Sequence, residues 1–135
     1  MLRSSAKWFI ACVAVALYHA SPAKAFDLNG AWASDGSACN KIFQVNNKAT
    51  SIRRESDLYG SGFIVDGDQL RGKVAKCAVK SRKEDGQMLH LIAVCSSDIA
   101  LSTVQFTVRA DNDNQLTRIF PGVPEMSVSY MRCRL

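Results

Sequence analysis

Four cysteines, Cys39, Cys77, Cys95 and Cys133, stand 38, 18 and 38 residues apart in the body of this 135-residue chain, and no other feature restricts the fold as sharply. A disulfide holds its two Cα atoms within about 7 Å, so each pairing names two segments that must be neighbours. Whether the cysteines pair depends on the compartment, and the start of the chain bears on that. Arg3 and Lys7 put positive charge ahead of Trp8–Tyr18 (WFIACVAVALY), a run of eleven residues without a charge. Pro22 and then Ala23-Lys24-Ala25 follow, with small residues at the spacing a signal peptidase requires. The run is too short to remain in a bilayer, since crossing about 30 Å of hydrocarbon takes about 20 apolar residues. Residues 1–25 therefore read as a secretory signal peptide. Residues 26–135 read as one exported domain beginning at Phe26, periplasmic or secreted and not membrane-spanning. Cys12 lies inside the apolar run and not at the cleavage point, so the leader does not read as a lipoprotein signal. In an exported chain the remaining even number of cysteines implies two disulfides, and the lack of any C-x-x-C pair argues against a metal site.

A mature length of 110 residues suffices for one core and not for two. The precursor carries a net charge of +5, but Arg3, Lys7 and Lys24 leave with the leader. The domain keeps 14 cations against 12 acids, a balance of +2. That is too near neutral for a nucleic-acid binder, which needs concentrated positive charge to neutralise phosphates.

Turn chemistry recurs every ten to fifteen residues. Asn46-Asn47-Lys48, Asp66-Gly67-Asp68, Glu84-Asp85-Gly86, Asp111-Asn112-Asp113-Asn114 and Pro121-Gly122-Val123-Pro124 each suit a positive φ or a fixed turn. Between them, apolar and polar residues alternate with the period of a strand. Val104, Phe106 and Val108 form one face and Gln105, Thr107 and Arg109 the other. Phe43 and Val45, Phe63 and Val65, Leu70 and Val74, and Val128 and Tyr130 repeat the pattern less regularly. Met88–Cys95 (MLHLIAVC) is apolar on both faces apart from His90, which predicts a central strand covered on both sides or part of an interface. The expected fold is all-β: a small antiparallel up-and-down barrel of eight or nine strands, or a barrel-like sandwich, with two disulfides.

The turn at Glu84-Asp85-Gly86 selects among the three possible cysteine pairings. Residue 86 is the midpoint between Cys77 and Cys95, so those two face each other across one hairpin, and Cys39 is left with Cys133. That second bond joins the beginning of the domain to its end, as a closed sheet would require. In the chain-entropy model the long bridge contributes about 4 kcal/mol and the short one about 3 kcal/mol.

The mature chain opens FDLNGAWASDGSACNKIF, and Gly30-Ala31-Trp32 resembles the G-x-W that begins the first strand of lipocalins and related calycin barrels. In length and in its disulfides the chain also resembles the small bacterial periplasmic inhibitors of secreted metalloproteases, which begin with a G-x-W strand. The resemblance implies that Trp32 packs across a barrel floor, with Arg132 or Arg134 over its ring through a cation–π contact. The inhibitor likeness implies that the mature N-terminus, Phe26-Asp27-Leu28, is exposed and enters the enzyme's cleft. The buried tryptophans with which avidin-like barrels hold biotin are absent, because Trp32 is the single mature tryptophan.

Catalytic chemistry finds little support in the residues. His90, the one mature histidine, sits within the most apolar strand, and the cysteines are committed to disulfides, so no nucleophile–histidine arrangement is implied. The turn acids Asp66, Asp68, Asp111 and Asp113 are explained by backbone hydrogen bonding and lack the ligand run of a calcium loop. Gly60-Ser61-Gly62 lacks the Lys-Ser/Thr and the helix of a phosphate loop, and reads as the flexible start of a strand. The densest charge is the run Arg71, Lys73, Lys76, Lys80, Arg82 and Lys83, a candidate contact for an anionic envelope surface or an acidic partner. No metal or cofactor is implied. Two functions remain: a non-enzymatic envelope binding protein for a small ligand, and an inhibitor or interaction module for a secreted protease.

Overall fold

The computed structural model describes residues 15–21 and 23–135. Residues 1–14 and Pro22, which carry most of the expected signal peptide, lie outside the described residues. The ten strands are β1 (Gly30–Ala33), β2 (Phe43–Asn46), β3 (Ala49–Ile52), β4 (Gly62–Asp66), β5 (Gln69–Arg71), β6 (Lys76–Asp85), β7 (Met88–Ser96), β8 (Leu101–Asn112), β9 (Gln115–Ile119) and β10 (Val128–Arg132). One short helix, α1 (Cys39–Ile42), precedes β2. Eight strands close into an antiparallel barrel in the order β1-β10-β9-β8-β7-β6-β5-β4, and β2 and β3 form a separate hairpin. From β4 onward each strand pairs with the next, so the barrel is a meander. β1 completes it by pairing with both β4 and β10.

The turn-forming clusters sit where the meander reverses. Gly67 and Gly86 take φ of 58°, as tight reversals require, and the β2–β3 turn places Asn47 and Lys48 at φ of 50° and 64°. Alternation then sorts the side chains. Trp32, Val65, Leu89, Leu91, Val108, Leu116 and Tyr130 point inward and form the main core, joined by Leu28 from the segment before β1. Ala31, Ala33 and Ile64 face outward, where Ala38, Ile42 and Phe43 cover them and build a second, smaller core between the barrel wall and α1. Gly62, at the start of β4, lies at that contact. A Cβ there would come within 2.7 Å of the Phe43 ring, 2.8 Å of Ile42 and 3.1 Å of the Trp32 carbonyl oxygen. The glycine of the Gly60-Ser61-Gly62 segment is thus a packing requirement of the wall.

Both disulfides form as the hairpin argument expects. Cys77 and Cys95 are direct cross-strand partners with Cα atoms 4.0 Å apart, and Cys39 and Cys133 lie 5.7 Å apart. The long bridge differs from expectation in what it joins. Cys39 belongs to α1, so the bond fastens the covering helix to the end of the chain, while backbone pairing closes the barrel.

Two other expectations are corrected. Among the described residues no second layer covers the outer face of β7: Leu89, Leu91, Ala93 and Cys95 are buried inward, but Ile92 on the opposite face is 45% exposed, so of the two readings the strand covered on both sides is overturned. Val74 does not continue the Leu70 face; β5 ends at Arg71, and Val74 stands on the following loop, 79% exposed.

Candidate functional site

The barrel's two ends differ, and strand direction says which residues belong to each. One end carries the start of β1, the tight β4–β5, β6–β7 and β8–β9 turns, and the end of β10. Here Trp32 is fully buried, with Phe26 and Phe63 around its indole at ring-centre distances of 6.1 and 6.5 Å. The segment Phe26–Asn29 folds back across this end. Leu28 is only 5% exposed, and its carbonyl oxygen accepts a 2.9 Å hydrogen bond from Trp32 Nε1. Arg132 locks the arrangement: its guanidinium carbon lies 4.3 Å from the centre of the Trp32 ring. Its N–H groups donate to the carbonyl oxygens of Asp27 (2.7 Å) and Asp113 (2.9 Å) and also to that of Asn29. Arg134 is exposed and takes no part. On the β6 side, Arg82 donates to the Phe26 carbonyl at 2.5 Å and pairs with Glu84.

The segment expected to insert, Phe26-Asp27-Leu28, is folded onto this end of the barrel with Asp27 exposed, Phe26 half-buried and Leu28 buried. Leu28 satisfies the hydrophobic core and the backbone of the segment is consumed by Arg82, Arg132 and Trp32, so the three residues act as a plug.

The cations of the basic run have different surroundings. Arg71 donates to the Thr50 carbonyl at 3.2 Å, and Lys73 pairs with Asp57. A register shift between Val79 and Ser81 puts Arg82 opposite Leu91, on the inward face at the closed end. Lys76, Lys80 and Lys83 are exposed along β6. The bulge, invisible in the spacing of charges, puts Arg82 on the inward face while Lys83 stays on the outer one. His90 lies half-buried on the outer face of β7, in register with Lys83 and Thr107.

The opposite end is open. Between the core layer and the β5–β6, β7–β8 and β9–β10 loops lies a cavity of about 380 Å³. Its walls are predominantly apolar, made by Phe63, Leu70, Leu91, Val104, Phe106 and Tyr130 with the Cys77–Cys95 bridge. Gly72, Ala75 and Ser102 bound its mouth, and beyond them Val74, Ile99 and Leu101 project 79%, 95% and 75% exposed. The size falls in the range of small-molecule sites, which are concave, mainly apolar and carry few polar groups.

A single charged side chain enters this lining, Arg118 of β9. Its guanidinium carbon lies over the rings of Phe106 and Phe120 at 4.7 and 4.5 Å. Arg118 is isolated among uncharged residues in the sequence, so charge density does not single it out. Alternation held the signal: in Gln115–Phe120 (QLTRIF), Leu116, Arg118 and Phe120 share one face, so an arginine stands among inward-facing apolar residues. Among the described residues, no helix is long and apolar enough to cross a membrane. Comparison with protein-family models, curated proteins and solved structures finds no match.

Proposed function

We propose that this is a non-enzymatic exported protein that holds a small, largely apolar molecule inside its barrel. The observation that carries the reading is the cavity of about 380 Å³ at the open end, walled by apolar side chains and the hairpin disulfide. A well-packed small barrel fills its interior with side chains; here the upper half is left unfilled while the lower half is packed around Trp32. Export is supported by the leader pattern and by two disulfides, which persist in oxidising compartments. The G-x-W start together with a closed eight-stranded meander supports a calycin-like relationship. The protease-inhibitor alternative has less support, since Leu28 of the segment it would use is packed in the core.

Titration of the oxidised protein with octanol, followed calorimetrically, tests the reading. Saturable binding is expected, and Val104→Phe, which adds volume to the cavity wall, should weaken it about tenfold or more while preserving the melting temperature. Absence of saturable binding, or indifference to Val104→Phe, would count against the barrel interior as the site.

A further inference from the structure

We infer that the barrel's ligand is an apolar carboxylate, whose headgroup is received by Arg118 at the cavity mouth; this rests on the proposal that the interior binds a small molecule. Arg118 is the one charged side chain in the lining. Its contacts with Phe106 and Phe120 stabilise the positive charge through the rings. They occupy none of its five N–H donors, which lie in the guanidinium plane. Among the described residues it forms neither an ion pair nor a hydrogen bond, unlike Arg82, Arg109 and Arg132, which are all engaged. A half-buried cation with unused donors, fixed between two aromatic rings beside an apolar cavity, is complementary to one ligand chemistry. An anionic headgroup would accept a bidentate pair of hydrogen bonds while its apolar tail fills the space toward Leu91 and Leu116. A cationic headgroup would be repelled, and a neutral one would leave the charge uncompensated.

The position of Arg118 in the strand fits this role. It is directly opposite Val108 on β8 and Val128 on β10, one inward step above the buried Leu116. A headgroup held there keeps contact with water at the mouth while the tail points into the barrel. Tyr130, whose hydroxyl accepts from Ser61 Oγ at 3.4 Å, lines the same cavity as a further polar group.

The test compares octanoate, octanol and octyltrimethylammonium, which share a tail and differ in head charge, on the oxidised protein and on Arg118→Gln and Arg118→Met. Octanoate should bind at least about tenfold more tightly than octanol, as a charge-assisted hydrogen bond implies, and the cation most weakly. Both variants should abolish the preference for octanoate over octanol, each ligand being measured on the same variant. The comparison of ligands on the unaltered protein needs no variant to fold. Equal binding of octanoate and octanol, or octanoate affinity unaffected by either substitution, would overturn the carboxylate assignment and leave the apolar-binding reading standing. Failure of all three to bind would overturn both.

Discussion

At the scale of single residues, two charged side chains act by opposite means. Arg132 organises the closed end by joining the Trp32 ring to three carbonyl oxygens from two different segments. Replacing it with Gln should destabilise the fold by about 2 kcal/mol, because it loses both the stacking on the buried Trp32 ring and charge-assisted hydrogen bonds to three carbonyl oxygens. Lys should rescue little, lacking the planar fork; urea denaturation of both variants measures this. Asp111 works through protonation. Burial opposes its charge, but the Thr117 hydroxyl at 2.6 Å and the Arg109 guanidinium at 2.7 Å outweigh that and hold its carboxyl below the ordinary value of 3.8. A depressed folded-state pKa gives stability that is present above the unfolded value and lost as pH falls through the folded one. Asp111→Asn should therefore be less stable than the parent at neutral pH, with the difference shrinking below about pH 4. Denaturation at neutral pH and near pH 3 checks the sign, and a difference that stayed constant would assign the effect to packing alone.

At the scale of elements, the N-terminal plug and the two disulfides are separable contributions. Leu28→Ala should cost about 2 to 4 kcal/mol, the range for truncating a buried leucine, which is far more than a free N-terminal segment would. Replacing Cys77 and Cys95 together by Ser should cost about 3 kcal/mol on the chain-entropy estimate, and replacing Cys39 and Cys133 about 4 to 5 kcal/mol, because the second loop is longer. Thermal melts of the two double variants would measure the ranking. The hairpin bridge also lines the cavity, so its removal should alter octanol binding, whereas loss of the Cys39–Cys133 bridge on the outer wall should not.

At the scale of the whole molecule, the barrel is asymmetric along its axis, with aromatic packing and a plug at one end and an apolar, arginine-bearing cavity at the other. Much of this was legible in the chain. The turn clusters marked the β2–β3, β4–β5, β6–β7, β8–β9 and β9–β10 reversals but not β5–β6 or β7–β8, since glycine and asparagine tolerate the positive φ that tight turns need. Period-two alternation identified the inward faces of β8 and β10. The midpoint rule paired Cys77 with Cys95, because hairpin partners are equidistant from their turn. Local chemistry determines each of these. What only the tertiary structure decided depends on sequence-distant contacts. The register shift in β6 turned Arg82 toward Phe26. The packing of α1 on Ala31, Ala33 and Ile64 made a second core outside the barrel. The fold-back of Phe26–Leu28 filled one end and left the other empty around Arg118. A cavity is the volume that side chains from seven strands fail to fill, and no stretch of sequence encodes that remainder by itself.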